Sequence, residues 1–319
     1  MLRTLVAAVL TAVLAGPLIA AAQFPAKPIR VVVPFPAGSS TDSVTRVLAN
    51  SVSQSIGQPL LVENKAGADG AIAAAEVAKA PADGYTLLMA TNSPMSAVPA
   101  MKKNPPYDPV ADFTPITDVG RYTFFILVHP SVPAKTLGEL INYARANPGK
   151  LNYATGNTTG IVSTAFFASQ AKIDLVHVPY KGEPQAITDL VAGRVQLMFA
   201  SSGTSLPHVR EGKLRALVTT LPKRSGILPE VPSIAEAGMP QFSITSWAGL
   251  FGPAKMPRDV VERLNREFGA AMTRADVQTG MDRLAFALSP SSPEQLAVFV
   301  KDQMESYRRT LRAAGVEPE

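Results

Sequence analysis

The sequence predicts an α/β protein of two lobes, each a mostly parallel sheet with helices on both faces. Three observations lead to this fold class. Short apolar runs alternate with segments of helical periodicity, which is typical of parallel sheets. Two irregular stretches, near residues 120 and 225, divide this alternation into two α/β units. The 319 residues, 46% hydrophobic and 17% charged, suffice for two globular domains.

The two irregular stretches predict where the chain crosses between the lobes. We expect one lobe to consist of residues 24–121 plus 225–319, and the other to consist of residues 122–224. A chain that crosses twice between lobes without a large shared core permits a hinge motion.

The first 22 residues have the three parts of a secretory signal peptide. Arg3 supplies a positive charge, residues 5–15 are apolar, and the small residues 20–22 precede a cleavage site before Gln23. The segment is too short for a membrane-spanning helix with its flanks. We therefore expect a periplasmic protein. It contains no Cys, which rules out thiolate chemistry and a lipid anchor on that residue.

In the first unit, the run of β-branched residues at 29–33 predicts a strand that is buried on both faces. Ser39, followed three residues later by Asp42, forms a capping box, so a helix begins there. Further strands are predicted at residues 58–64, 85–90 and 113–119, and a further helix at residues 71–80.

In the second unit, Thr136 and Glu139 form another capping box, which predicts a helix that stops at residues 147–149. Strands are predicted at residues 122–129, 151–154, 175–178, 195–199 and 214–219, and helices at residues 161–171 and 185–192. Gly193 is a natural end for the last of these helices.

The closing part of the chain begins with Ser233 and Glu236, whose spacing predicts a short helix that ends at Gly238. A strand-like segment at residues 242–251 contains Trp247, the single Trp of the chain. Two helices, over residues 257–272 and 293–314, complete the prediction.

Four strand-to-helix corners share a composition of Gly, Ser, Thr and Asn. They lie at residues 34–42, 91–94, 155–160 and 179–184. A strand that leads into a helix N-terminus aims several backbone N–H groups at one point, which suits a carboxylate or phosphate. Ligands of open α/β sheets bind outside the carboxyl ends of the strands. The sequence therefore predicts a cleft between the lobes lined by neutral donors, with Lys181 as the one charged corner residue placed to meet an anion.

Catalytic and metal-binding patterns are missing from the sequence. It contains no G-x-S-x-G and no P-loop, and its three His residues lack metal-ligand spacing. Asp42, Glu183 and Asp189 could act as acid–base carboxylates, but helix caps and surface charges explain them better. The net charge of +5 comes from scattered basic residues, which gives nucleic acid binding little support. The sequence favours binding over catalysis, with no metal and no cofactor.

The corners and several other motifs resemble those of the Bug-type extracytoplasmic solute receptors, the binding proteins of tripartite tricarboxylate transporters. No single motif is specific, but their order and spacing together are, and they cover nearly all of the mature chain. The motifs are Val33-Pro34-Phe35 through Thr41-Asp42 with Arg46, Glu63-Asn64-Lys65 with Gly67, residues 82–87, Val178-Pro179-Tyr180-Lys181-Gly182, Asp189-Leu190, residues 228–232 with Glu236 and Gly238, and Trp247-Ala248-Gly249.

This resemblance implies a periplasmic binding protein fold, type II-like, that closes on its ligand. It also implies that the first and second corners hold a carboxylate, whereas the opposite lobe selects the rest of the ligand. The ligand-binding residues implied by matching position are Phe35, Ala37, Gly38, Ser39, Ser40, Thr41 and Asp42, then Thr91, Asn92 and Ser93, and on the opposite lobe Thr155, Gly156, Asn157, Thr158, Thr159, Ser163, Tyr180 and Lys181. Two corners depart from the family pattern, at 37–40 and 155–160, so the identity of the ligand stays open.

We expect a monomeric periplasmic receptor that delivers a small organic carboxylate to the membrane permease subunits of a tripartite tricarboxylate transporter. Two alternatives remain. One is a ligand sensor for a signalling partner, which neighbouring permease genes would argue against. The other is a secreted enzyme on the same scaffold, which turnover of a bound carboxylate would support.

Overall fold

The computed structural model describes residues 24–221, 223–242, 244, 246–313 and 318. The predicted signal peptide lies outside these residues. None of the helices within the described ranges is long and apolar enough to cross a membrane.

The first sheet has six strands in the order β11-β4-β10-β3-β1-β2. Its strands are β1 (Ile29–Val33), β2 (Leu60–Asn64), β3 (Thr86–Thr91), β4 (Phe113–Tyr122), β10 (Trp247–Pro253) and β11 (Phe286–Leu288). The helices that connect or follow these strands are α1 (Ser40–Ile56), α2 (Ala71–Ala78), α3 (Val98–Met101), α8 (Arg258–Met272), α9 (Ala275–Arg283) and α10 (Pro293–Ala313). A π-helical turn, Ser93–Ala97, precedes α3.

The second sheet has five strands in the order β7-β6-β8-β5-β9. Its strands are β5 (Phe124–Val128), β6 (Asn152–Thr155), β7 (Val176–Pro179), β8 (Leu197–Ser201) and β9 (Arg215–Thr219). Its helices are α4 (Leu137–Ala146), α5 (Thr158–Ala171), α6 (Glu183–Val191) and α7 (Ser202–Arg210).

The chain crosses from the first sheet to the second between Tyr122 and Phe124, and returns between Thr219 and Trp247. Part of the returning segment packs on the second sheet. The amide of Ile234 donates to the carbonyl of Thr219 at 2.8 Å, and the amide of Thr219 donates to the carbonyl of Pro232 at 2.9 Å. The ring of Phe242 stacks on that of Phe199, with 5.8 Å between the ring centroids.

The predicted two-sheet α/β fold is confirmed, but both sheets are mixed. Strands β1, β2 and β3 pair in parallel, as do β6, β7 and β8. Every antiparallel pair includes β4, β5 or β10, the strands that border the crossings between the sheets. The prediction of mostly parallel sheets was therefore wrong for these strands. A strand that enters from the other sheet has no βαβ connection to its neighbour, so nothing requires it to pair in parallel.

Capping boxes located two of the helices correctly. The Ser39 hydroxyl accepts from the amide of Asp42 at the start of α1, and the Thr136 hydroxyl accepts from the amide of Glu139 at the start of α4. The third capping box behaves differently. Ser233 and Glu236 exchange both hydrogen bonds, yet they close a turn and no helix follows.

The prediction also missed three elements. Helix α7 begins directly after the strand that ends at Ser201, where small polar residues concealed its periodicity. Helix α9 and strand β11 follow α8, and both are short enough that the sequence pattern did not distinguish them from a loop.

Gly120 occupies a position in β4 that no larger residue fits. Its φ is +152°, and a Cβ atom there would lie 2.1 Å from the carbonyl oxygen of Ala287 in the neighbouring strand β11. The antiparallel pairing of β4 with β11 therefore depends on the missing side chain.

We expect Gly120→Ala to lower the free energy of unfolding by about 2–4 kcal/mol, because it adds both a clash and backbone strain. Urea denaturation measures the change. The matched control is Gly138→Ala on the exposed face of α4, where a Cβ meets nothing within 4 Å and should add up to about 1 kcal/mol of stability. Equal midpoints for Gly120→Ala and the unaltered protein would contradict this account.

Candidate functional site

The polar corners of the two sheets face each other across one cavity with a volume of about 370 Å³. Its first wall is formed by Phe35, Ser39, Ser40, Thr41, Thr91, Asn92, Ser93 and Ser246. Its second wall is formed by Gly156, Asn157, Thr159, Glu183 and Ser201, with Tyr122 and Phe124 at the crossing between the sheets.

The first corner is shaped by Asp42, in the first turn of α1. Its carboxylate accepts hydrogen bonds from the Gly38 amide at 3.0 Å and from the Asn64 side-chain amide at 2.9 Å. It also pairs with Arg46 at 3.0 Å. Gly38 has a φ of +79°, so the loop turns back on itself there. These contacts use the Asp42 carboxylate inside the loop and leave the Ser39 and Ser40 side of the corner facing the cavity.

The pKa of Asp42 reflects these partners. Burial acts to raise the pKa of this carboxyl, but the hydrogen bonds from Arg46, Gly38 and Asn64 outweigh burial and hold the pKa below its usual range. The ionised form therefore stabilises the folded loop.

The second corner is organised by Asn92, which is fully buried. Its side-chain carbonyl accepts from the Ser246 hydroxyl at 3.2 Å and from the Trp247 amide at 3.4 Å, which ties the corner to β10. Its side-chain NH₂ donates to the Thr159 hydroxyl at 2.6 Å and to the hydroxyl of Tyr307 in α10. One side chain thus joins the first sheet, the second wall of the cavity and the C-terminal helix.

Hydroxyl groups contact one another directly across the cavity. The hydroxyls of Ser40 and Ser201 are 2.7 Å apart, and those of Ser93 and Thr159 are 3.1 Å apart. The Tyr122 hydroxyl donates to the Thr41 hydroxyl at 2.9 Å. Both walls therefore present groups that either donate or accept, and none of these groups is charged.

The second wall contains one carboxyl group, that of Glu183 at the start of α6. It accepts from the Asn157 side-chain amide at 3.1 Å, from the Thr204 hydroxyl at 2.9 Å and from the Ser201 hydroxyl. Burial raises the pKa of Glu183, and the hydrogen bonds from Ser201, Thr204 and Asn157 act against that increase.

Ten of the eighteen residues predicted to bind ligand line the cavity, and eight do not. Those that line it are Phe35, Ser39, Ser40, Thr41, Thr91, Asn92, Ser93, Gly156, Asn157 and Thr159. Those that do not are Ala37, Gly38, Asp42, Thr155, Thr158, Ser163, Tyr180 and Lys181.

Tyr180 and Lys181 line a neighbouring cavity of about 960 Å³, which shares Phe35 and Gly156 with the first. The Tyr180 hydroxyl donates to Asp189 at 2.7 Å, and Thr155 is hydrogen-bonded to the ring of His177 at 2.6 Å. Tyr180 and Lys181, which were predicted to select the ligand from the opposite lobe, thus lie beside the cavity and not in its wall.

The residues predicted to bind ligand omitted five residues of the cavity wall: Tyr122, Phe124, Glu183, Ser201 and Ser246. Glu183 lies in the predicted corner 179–184 but was explained as a cap or surface charge. Ser201 is the last residue of strand β8, so the rule that ligands bind at the carboxyl ends of strands could have found it. Tyr122, Phe124 and Ser246 stand where the chain crosses between sheets, and no local pattern marks them.

In the part of the chain that the structure describes, no group of three or more His, Asp or Glu side chains is arranged to hold a metal ion. The cavity offers neutral donors on both walls and one buried carboxyl group. Such a site suits the binding of a small polar molecule with an anionic group.

Two sheets whose polar corners meet across one cavity are the arrangement of the periplasmic binding proteins, to whose solved structures this one is similar. Within this class, the family described as "Tripartite tricarboxylate transporter family receptor" (TctC) matches residues 44–316. The chain belongs to this family, whose members are receptors.

Relatives of known name and structure agree with this assignment. Protein BugT of Bordetella pertussis is 32% identical over 96% of this chain and 95% of its own length. The structure of Rhodopseudomonas palustris Rpa4515 with adipate superimposes with a TM-score of 0.89, at 32% identity, over 93% of this chain and all of the other. That of MatC (Rpa3494) from Rhodopseudomonas palustris with bound malate gives a TM-score of 0.86, at 31% identity, over 90% of this chain and all of the other.

We expect Asp42→Asn to lower the free energy of unfolding at pH 7 by about 1–3 kcal/mol, because an amide cannot replace all three hydrogen bonds of the carboxylate. Since the folded pKa of Asp42 lies below the unfolded one, this contribution is complete above the unfolded pKa and disappears as the pH falls through the folded pKa.

Urea denaturation between pH 7 and pH 2 measures the effect, and the difference between variant and unaltered protein should shrink toward acid pH. Asp302→Asn, at an exposed position of α10, is the control and should shift stability by less than about 0.5 kcal/mol. A difference that stays constant with pH would show that Asp42 acts without its charge.

Proposed function

We propose that this protein is a periplasmic receptor that captures a small organic carboxylate in the cavity between its two sheets and delivers it to a transporter of the tripartite tricarboxylate type. The single observation that carries the proposal is the facing set of neutral hydroxyl and amide groups on the two walls. Family membership and the adipate and malate bound by two structural neighbours support the same ligand class.

The first wall offers the better position for the carboxylate. Helix α1 begins there with Ser39 as its N-cap, and the first-turn amides of a helix have no intrahelical acceptor. The hydroxyls of Ser40 and Ser93 flank the same space. Hydrogen bonds to a charged group contribute about 1.5–3 kcal/mol each, so a few of them support binding in the micromolar range.

The hydroxyl pairs across the cavity link binding to closure. Ser40 and Ser201 belong to different sheets, as do Ser93 and Thr159. A ligand that bonds to both members of a pair favours the arrangement in which the walls are close together. We propose that the moving bodies are the lobes expected from the sequence, residues 24–121 plus 225–319 and residues 122–224, except that the segment with Ile234 and Phe242 moves with the second sheet, on which it packs.

The remaining parts of the proposal follow from the sequence and the family. The predicted signal peptide directs the chain to the periplasm, where it acts as a monomer on its way to the membrane permease subunits. The cavity holds the ligand without transforming it, and neither cofactor nor metal takes part.

The ligand class can be tested by calorimetry with small carboxylates, among them malate and adipate, and with the matching neutral amides. We expect the tightest-binding acid to lose affinity at least tenfold in Ser40→Ala, because one charge-assisted hydrogen bond is removed. Ser43→Ala is the matched control. Ser43 lies three residues after Ser40 in α1 but outside the cavity wall, so this variant should bind as the unaltered protein does. A neutral amide that binds as tightly as its acid would exclude a carboxylate receptor.

The closure step can be tested through Gly182, which lies outside the cavity wall but touches the opposite side of the cleft. A Cβ atom at Gly182 would lie 2.7 Å from Cγ of Pro36 in the first corner. We expect Gly182→Ala to hold the two sides apart, to weaken carboxylate binding about tenfold and to reduce the ligand-induced decrease in the radius of gyration.

Small-angle X-ray scattering with and without the carboxylate measures that decrease, and calorimetry measures the affinity. Gly269→Ala in α8, where a Cβ meets nothing within 4 Å, is the control. Full affinity and an unchanged decrease in Gly182→Ala would mean that binding does not require these surfaces to approach.

A further inference from the structure

Glu183 is the one carboxyl group among the described residues that line the cavity, and none of these residues is Lys, Arg or His. Only 6% of Glu183 is exposed. A buried carboxyl in the wall of a carboxylate site is unexpected, because two negative charges in a confined space repel each other.

The structure stabilises Glu183 without a cation. Among the described residues, no basic side chain comes within 4.0 Å of its carboxyl oxygens. Its partners are instead the N-cap residues of two neighbouring helices, Asn157 of α5 and Ser201 of α7, together with Thr204 in the first turn of α7. Glu183 is itself the first residue of α6.

Three helix N-termini therefore meet around this carboxyl group, and each contributes positive potential. The orientation of the Asn157 amide is fixed, because its carbonyl oxygen accepts from the Gly160 amide at 2.9 Å, so its NH₂ must face Glu183. The arrangement matches what a helix N-terminus offers a bound anion. On this wall, a carboxyl group of the protein itself occupies the position of such an anion.

We propose that Glu183 occupies the anion position of the second wall and thereby selects ligands with a hydrogen-bond donor, an ammonium or a hydroxyl group, at the end opposite their carboxylate. This inference rests on the proposed function. A ligand with a second carboxylate at that end would face Glu183 directly, whereas an ammonium or hydroxyl group would donate to it.

A hydrogen-bonded contact across the cavity connects Glu183 with the proposed carboxylate position. The Ser201 hydroxyl, which donates to Glu183, is also 2.7 Å from the hydroxyl of Ser40 at the proposed carboxylate position. A molecule that displaces this contact therefore has one end at α1 and the other near Glu183. Tyr122 in β4 is a titratable group near Glu183, and both burial and the charge of Glu183 raise the pKa of its phenol.

Calorimetry with matched four-carbon and six-carbon probes tests the proposal. The probes are 4-aminobutyrate, 4-hydroxybutyrate and succinate, then 6-aminohexanoate, 6-hydroxyhexanoate and adipate. At a pH at which Glu183 is ionised, we expect the amino or hydroxy acid of at least one series to bind tenfold or more tightly than its diacid. Glu183→Gln should abolish that preference, and Glu211→Gln, an exposed surface position, should keep it.

The outcomes separate this inference from the proposed function. Diacids that bind as tightly as the amino and hydroxy acids, or a preference that survives in Glu183→Gln, would overturn the role of Glu183 and leave the carboxylate receptor intact. Failure of every carboxylate to bind would overturn both.

The unaltered protein gives a second test that does not depend on folding of the variant. Because burial raises the pKa of Glu183, acidification should protonate it and reduce the preference over the diacid before the ligand carboxylate is itself protonated. A preference that stays constant as the pH is lowered until the free ligand carboxylate begins to protonate would contradict the proposal.

Discussion

The hydrogen bond between an N-cap side chain and the first turn of a helix is the interaction on which this cavity depends. Ser39 caps α1 and Asn157 caps α5, and both corners follow the carboxyl end of a strand. Because these caps are small and polar, the corners expose hydroxyls and amides where larger side chains would fill the cleft. The two sheets bring such corners face to face, so the cap residues that stabilise the helices also form the walls of the site.

The neutral donors at the first corner suit a receptor that must release what it binds. A bound carboxylate would be stabilised by several hydrogen bonds and helix termini, without the large desolvation cost of a buried ion pair. The hydroxyl pairs of Ser40 with Ser201 and of Ser93 with Thr159 show that the same groups also satisfy each other. A ligand therefore replaces hydrogen bonds between the walls with hydrogen bonds of similar strength to itself. Under this condition the cleft can open and close at a modest cost in free energy.

Local patterns predicted much of the fold and less of the site. Strand β1 and the starts of α1 and α4 were predicted to within a residue, because buried β-branched runs and capping boxes act over a few neighbours. The Ser233 capping box failed as a helix signal, since the tertiary contacts of that segment left it as a turn. Tyr122 and Ser246 reach the cavity only because the chain crosses between sheets beside them, which no local pattern records. The sequence analysis explained Glu183 as a helix cap or surface charge, because the three helix N-termini around it come together only in the folded chain.

The central claim is that one ligand bridges the two walls, with its carboxylate at the first corner. A crystal structure of the protein saturated with its tightest-binding carboxylate tests this most directly. The account predicts carboxylate oxygens within hydrogen-bond distance of the N-terminus of α1 and of the hydroxyls of Ser40 or Ser93, with the opposite end of the ligand facing Glu183. A carboxylate bound outside the cavity, or held by one wall alone while the cleft stays open, would contradict it.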